Sequence, residues 1–492
     1  MADASKQTGE ARMLIDGKLV EATSGKTFDN VNPATEDVLG QVADATADDM
    51  RQAIAAARRA FDETDWSTNH AFRKRCLEQL QDALESEREE LRAELVAEAG
   101  APLMLTYSAQ LDAPLEDGLR YPMKLIEEFP WERELPDGNL FGMTSRRAVW
   151  KEPMGVIGSI VPWNYPFEVT LNKIGPVLAT GNTTVLKPAP DTPWNATRLG
   201  RLVAEKTDIP PGVFNVVTSS DHLVGEELTL SPMVDMIPFT GSTVTGKRIM
   251  EKGASQLKRV FLELGGKSAM IVCDDADFPS VIPGASMVCM HGGQGCAMQT
   301  RMLVPRARYD EALELIIAGM SGVPYGDPSD PNNMMGPLVS EKQRDRVLGY
   351  IQKGVDEGAR LVLGGGKPAQ FDKGWFVEPT VFADVDNSMT IAQEEIFGPV
   401  LCVIAYDADD DAVRIANDSG YGLSGGVFSA SEERATAIAR RIRTGSIGIN
   451  GGVWYGADSP YGGYKSSGIG RQNGIEGFEQ YLETKAVAWL RG

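Results

Sequence analysis

A chain of 492 residues is too long for one ordinary hydrophobic core and implies two or more domains. Its composition, 42% hydrophobic and 24% charged, is what a soluble globular protein needs, and no apolar run approaches the roughly 20 residues that cross a bilayer. A net charge of −21 repels phosphate backbones and anionic lipids, so nucleic acid and membranes are not expected partners.

The opening stretch, MADASKQTGEAR, is polar and lacks the apolar segment of a secretory signal, so a cytoplasmic location is expected. From about 47 to 98 the text is alanine-rich and charged, with apolar residues at three- and four-residue spacing, which predicts amphipathic helices. NLFGMTSRRAVW, 139–150, alternates instead and follows PDG, reading as a strand or hairpin. From 151 the short runs GVIGSIVP, TTVLKP, GVFNVVT and VDMIPFTG are separated by helix-length segments. That alternation predicts a parallel sheet with helices on both faces, whose ligands lie beyond the carboxyl ends of the strands.

A second α/β series is expected to begin with RVFLELGG and SAMIVC. It continues through a helix from about 279, RMLVP, a helix near 308–320, WFVEPTVFADV, PVLCVIAY and SIGIN. Near the end, YLETKAVAW alternates as a strand. It and the 139–150 segment lack neighbours in sequence, so they are expected to pair with each other and to be available at a subunit boundary.

Five cysteines, Cys76, Cys273, Cys289, Cys296 and Cys402, are scattered without a CxxC pair, which is no disulfide framework. Three histidines, His70, His222 and His291, give a zinc site little to be built from, and no metal is expected. GSTVTGKR, 241–248, resembles a P-loop, but Arg248 replaces the hydroxyl that would hold magnesium. What remains is a strand opening into a helix, where free amides and Ser242 either bind an anion such as pyrophosphate or form an ordinary capped turn.

Lys187, in VLKPAP, follows a strand end, where a cation holds a ribose hydroxyl or phosphate unless it is merely solvated. Glu263 ends the apolar run VFLEL, a setting that raises a carboxylate towards the range of a general base unless nearby amides satisfy it. Asp274, Asp275 and Asp277 read as a helix-capping turn. In HGGQGCAMQTR, 291–301, Cys296 has Gly292, Gly293 and Gly295 before it and Ala297 after. Small neighbours admit a carbonyl carbon to a thiolate, and amides at a turn or helix start lower a thiol's pKa and bind the oxyanion formed on attack. His291 reads as a helix-face residue and Cys289 as core. Asn164, between prolines in VPWNYP, is placed as a rigid amide donor.

PWNYP, FTGSTVTG, LELGGKS, GQGC, EEIFGPV and SPYGGYKSSGIGR, in this order, resemble the aldehyde dehydrogenase superfamily over essentially the whole chain. The resemblance implies two doubly wound α/β domains and a small β oligomerisation element. Residues 1–131 and 152–260 would form the dinucleotide-binding domain, 261–475 the catalytic domain, and 132–151 with 476–492 the oligomerisation strands of a homodimer or homotetramer.

By the same resemblance Cys296 would be the nucleophile, Asn164 and the Cys296 amide the oxyanion hole, and Glu263 the base that activates water. Lys187 would bind the adenosine ribose and Ser242 the pyrophosphate, Glu395 and Phe397 would meet the nicotinamide end, and Pro162, Trp163, Gly241, Gly246, Leu264 and Gly265 would complete the NAD or NADP site. The implied reaction is aldehyde oxidation to the carboxylic acid through a thiohemiacetal and an acyl-enzyme. Tyr165, Val169, Tyr455 and Tyr461, with Asn172 and Trp454 nearby, would line the substrate tunnel, whose aromatic walls favour an apolar or aromatic aldehyde.

Three departures stand out. Pro190 occupies a position where many NAD-preferring members have a glutamate, which leaves NADP open. Gln472 replaces a glutamate linked to proton relay. The span from Glu263 to Cys296 is about one residue short, an omission expected within FPSVIPG. The rival expectations are a cofactor-independent cysteine hydrolase or acyltransferase using the same thiol, and a non-enzymatic protein on the same fold.

Overall fold

Runs such as VIGSI at 156–160 are buried at nearly every position because helices cover both faces of their sheet. The computed structural model describes residues 9–491. Its first sheet has the strand order Gly468–Ile469, Arg259–Glu263, Met236–Thr240, Val156–Ile160, Thr183–Lys187, Phe214–Val216, Met13–Ile15, Lys18–Val20. The pairings from Arg259–Glu263 to Phe214–Val216 are parallel. The second sheet runs Arg360–Leu363, Thr380–Ala383, Val400–Tyr406, Arg301–Pro305, Ala269–Val272, Gly425–Phe428, Gly448–Ile449 and is parallel except for its first pair.

RVFLELGG does not open the second series, and a domain boundary at 260/261 falls inside a strand of the first sheet. Arg259–Glu263 pairs along its whole length with Met236–Thr240, from Met236 opposite Arg259 to Thr240 opposite Glu263. The second sheet first gains a strand at Ala269, and Gly468–Ile469 returns to the first sheet beside Leu262 and Glu263. The crossover therefore lies in 264–268, and the span 261–475 is not confined to one sheet.

The amphipathic helices are Ala47–Glu63, His70–Ser86 and Arg88–Ala99. The first is closed by a capping box in which Thr46 and Asp49 satisfy each other's main-chain amides. Together with Pro166–Ala179, a helix buried on nearly all sides, the second and third build a core that includes Leu77, Leu84, Leu95, Phe167 and Leu178.

The helix expected from 279 is only Phe278–Val281, followed by 3-10 turns over Ile282–Gly293. Its end is a run of left-handed residues, His291 at φ 53°, Gly292 at 65° and Gly293 at 72°. His291 is thus in a turn and not on a regular helix face.

The strands expected to pair do so. Leu482–Leu490 lies antiparallel to Met143–Pro153, which forms a hairpin with Glu132–Leu140. The hairpin turns at Phe141 and Gly142, both at positive φ. PDG lies inside the strand, at a register shift between Leu135 and Gly138, and does not bound it. Among the described residues no helix is long and apolar enough to cross a membrane.

Candidate active site

The chain order of the first sheet reverses around Val156–Ile160, whose neighbours are the next strand in sequence, Thr183–Lys187, and a later one, Met236–Thr240. Such a switch point opens a crevice beyond the strand ends. Pro162, Trp163 and Asn164 follow one strand into it, Gly241 and Ser242 follow the other, and Glu263 ends the strand beside it. From the second sheet come the Cys296 loop and Glu395–Phe397, and together these enclose a cleft of about 450 Å³.

The glycine at 293, in the loop before Cys296, is explained by crowding. A Cβ on Gly293 would come within 2.2 Å of the Gly398 main chain, at a φ that side chains rarely adopt. A Cβ on Gly266 would meet the Cys296 carbonyl at 2.5 Å. The loop is thereby pressed between the crossover and the FGP turn, and Cys296 Sγ faces Glu263 Oε2 at 3.8 Å and the Tyr461 hydroxyl at 3.1 Å. Cys76, Cys273, Cys289 and Cys402 are fully buried in core.

The thiol's electrostatics depart from the expectation of a lowered pKa. Burial and the facing Glu263 carboxylate push Cys296 well above the ordinary thiol range, and the Tyr461 hydrogen bond only partly offsets them. Burial likewise raises Glu263, while the Lys173 ammonium pulls it down. Lys173 is itself lowered by burial, and its Nζ donates to Thr240 Oγ1 at 2.7 Å. Glu263 Oε1 is buried with no hydrogen-bond partner, while Oε2 is the oxygen that faces Cys296. Burial thus favours the protonated thiol and raises the affinity of the facing Glu263 carboxyl group for a proton, as a general base for that thiol requires.

Asn164 is fixed from several directions. Its Nδ2 donates to the Gln294 carbonyl at 2.8 Å, and its own carbonyl accepts from Gln110 Nε2 at 2.8 Å and contacts His291 Nε2 at 2.9 Å. Burial lowers the His291 pKa to about 4, so the neutral ring is a support under Tyr165 and no base for the thiol. One Asn164 N–H and, among the described residues, the Cys296 main-chain N–H remain free of protein acceptors.

The residues expected at a dinucleotide lie towards the ends of the first sheet's strands and at Glu395–Phe397. Lys187, 6% exposed, has the Pro188 carbonyl as its acceptor at 3.2 Å, which leaves ammonium donors for a ligand hydroxyl. Burial lowers its pKa to about 8, against the pull of Asp191, Asp221 and Asp44. Ser242 caps the helix Thr243–Gly253 by accepting from Thr245 N at 3.2 Å. Gly246 gives Leu264 its space, since a Cβ there would lie 2.7 Å from the leucine. A Cβ on Gly265 would strike the Glu395 carboxylate at 2.3 Å, and that carboxylate is held by Gly266 N at 2.8 Å. Phe397, at φ 63°, meets Trp163 edge to face at 5.4 Å. Lys187 and Gly246 stand outside the wall of the Cys296 cleft, while the other residues expected for the dinucleotide line it.

Tyr165, Val169, Tyr455 and Tyr461 also line the cleft, with Trp454 stacked on Tyr461 at 5.6 Å. Asn172 is reached through Tyr455, to whose hydroxyl its Nδ2 donates at 3.0 Å. Gln472 pairs main chain to main chain with Tyr461, and its Oε1 is buried without a partner. The Asp triplet does not cap a helix by its side chains. Asp277 accepts from the Ser280 hydroxyl, and Asp274 and Asp275 pair with Arg434.

Sequence reasoning missed Lys173 and Glu168. Both follow from the residues it did find, because Tyr165, Glu168, Val169, Asn172 and Lys173 recur at three- and four-residue spacing on one helix.

The family model described as "Aldehyde dehydrogenase family" matches residues 19–487. The chain belongs to the aldehyde dehydrogenase family. It is an NAD(P)-dependent oxidoreductase that converts an aldehyde to the carboxylic acid. A Pseudomonas 3-succinoylsemialdehyde-pyridine dehydrogenase is 41% identical over 486 residues, 97% of this chain and 98% of that one. The crystal structure of a Mycobacterium tuberculosis aldehyde dehydrogenase with NAD+ superposes with a TM-score of 0.93 at 42% identity, covering 98% of each chain. A variant aldehyde dehydrogenase of Pseudomonas syringae with NAD+ and octanal gives 0.92 at 38% identity, covering 97% of this chain and 96% of that one.

Proposed function

We propose that this aldehyde dehydrogenase oxidises an aldehyde with an apolar or aromatic body, with Cys296 as nucleophile, Glu263 as base and NAD+ as the preferred acceptor. The observation that carries the assignment is Cys296 Sγ facing the otherwise unsatisfied Glu263 carboxylate. Glu263 takes the thiol proton as sulfur bonds to the carbonyl carbon. The oxygen, now an anion, is met by the free Asn164 N–H and the Cys296 main-chain N–H. Bound NAD+ supplies the hydride acceptor that turns the thiohemiacetal into a thioester. Glu263 releases the thiol proton to solvent, then takes a proton from the water that attacks the thioester carbon and returns it to the Cys296 sulfur as the acid leaves.

NAD+ preference is supported by the charge around Lys187. Three carboxylates, Asp191, Asp221 and Asp44, act on that one cation, a poor setting for a second phosphate. The first sheet's strand ends would hold the dinucleotide and the second sheet would carry the nucleophile. The three-stranded sheet would join subunits, since Leu140, Phe141 and Met143 at its tip are exposed. Five free cysteines suit a reducing cytoplasm.

The test is formation of reduced dinucleotide by the purified protein with aliphatic, aromatic and charged aldehydes, each with NAD+ and with NADP+. Turnover with NAD+ exceeding that with NADP+, and with uncharged aldehydes exceeding that with anionic ones, is expected. The reverse order in either comparison overturns that part of the assignment.

A further inference from the structure

One ionisable side chain of the cleft has no part in the chemistry above. Glu168 lines the same cavity as Cys296, and its Oε1 accepts from the Tyr455 hydroxyl and from Asn172 Nδ2 at 3.2 Å. Among the described residues Oε2 has no hydrogen-bond partner, and it is not sealed from solvent.

Bracing Tyr455 needs one acceptor oxygen and no charge. The second oxygen is surplus to that task; burial raises the Glu168 pKa to about 7, and its charge in turn works against the centre by raising Cys296 and Glu263 further. A carboxylate oxygen with no protein donor, set beside aromatic rings, is a ready acceptor for a ligand's hydrogen bond. The rings beside it form a slot for a flat or slender body, with Tyr455 edge-on to Tyr461 at 5.3 Å and Trp454 stacked behind.

We propose that Glu168 and Tyr455 form a recognition subsite for an aldehyde bearing a hydrogen-bond donor, a hydroxyl or an ammonium group, at the end remote from its carbonyl. The proposal rests on the reading that places the carbonyl at Cys296. It sharpens the expectation of a purely apolar substrate, since the body of the molecule meets aromatic rings while its far end meets a carboxylate.

The experiment compares kcat/KM with NAD+ for two matched pairs, para-hydroxybenzaldehyde against benzaldehyde and omega-aminopropanal against propanal. In the native enzyme at least one donor-bearing member is expected to be preferred by about tenfold or more. Glu168→Leu is expected to bring that preference close to parity. Glu168→Gln keeps the volume and one acceptor oxygen, so it should retain a hydroxyl preference and lose an ammonium preference, which separates the two donors. Ratios within about twofold for both pairs in the native enzyme, or a preference unchanged by Glu168→Leu, overturn the subsite while leaving the dehydrogenase assignment standing. No reduced dinucleotide from any of the four aldehydes overturns the placement of the carbonyl and this proposal with it.

Discussion

Glu263 and Lys173 are sealed in the cleft floor with 2% and 0% of their surfaces exposed, whereas Leu140, Phe141 and Met143 at the hairpin tip stand 66%, 89% and 51% exposed. The two regions break the same packing rule in opposite directions, each at a cost to the stability of the chain. Buried charge gains a pKa suited to proton transfer, because desolvation opposes ionisation of Glu263 and protonation of Lys173. Exposed apolar surface gains nothing until another surface covers it. The floor therefore explains itself within one chain, while the exposure of the tip is explained only by the proposed subunit contact.

The largest effect that would break this contrast is at the nucleophile. Cys296→Ala is expected to lower aldehyde turnover by at least about 10⁴-fold while NAD+ binding, followed by fluorescence quenching, persists. Appreciable residual turnover would mean that the sealed floor is not the reacting centre. Glu263→Gln should cost about 10²- to 10⁴-fold in steady-state rate, with acyl-enzyme hydrolysis slowed more than acylation, seen as a retained burst of reduced dinucleotide. Asn164→Ala follows at about 10²- to 10³-fold in kcat, the scale of one oxyanion donor.

The pH dependence sharpens the same point. Glu263 works as the carboxylate, so a raised pKa means that activity is lost as pH falls through a value above the ordinary carboxylate range. Lys173→Met removes the ammonium that favours the carboxylate. The acid limb of kcat/KM should then move to still higher pH, by about one unit. A limb that stays in place or moves down would show that Lys173 does not tune Glu263.

How much of this was legible in the sequence depended on whether a local signal existed. Gly292, Gly293 and Gly295 marked the Cys296 loop, and at Gly293 the Gly398 main chain leaves no room for a side chain. Strand periodicity located Arg259–Glu263 but could not say which sheet it joins, since pairing partners are far apart in sequence. The 3-10 turns of Ile282–Gly293 read as a helix because both share three-residue recurrence over short spans. Glu168 and Lys173 were within reach through helical spacing from Tyr165 and Val169. The hydrogen bond from Lys173 on that helix to Thr240 at the end of a distant strand was not.

The smallest expected effect on catalysis, and the clearest separation of tip from floor, comes from the hairpin. Its outer strand, Glu132–Leu140, is exposed along most of its length, and Phe141 and Gly142 turn the chain at positive φ with the aromatic ring in solvent. Covering a phenylalanine side chain is worth about 1.5–3 kcal/mol, which corresponds to about a ten- to hundredfold change in a dissociation constant. Phe141→Ser should therefore shift the enzyme towards smaller species in sedimentation velocity at low concentration. Turnover per subunit should change little, because the tip contributes no side chain to the Cys296 cleft. An unchanged mass distribution would mean that the exposed ring lies outside any subunit contact, and a large loss of turnover without dissociation would tie the hairpin to the cleft itself.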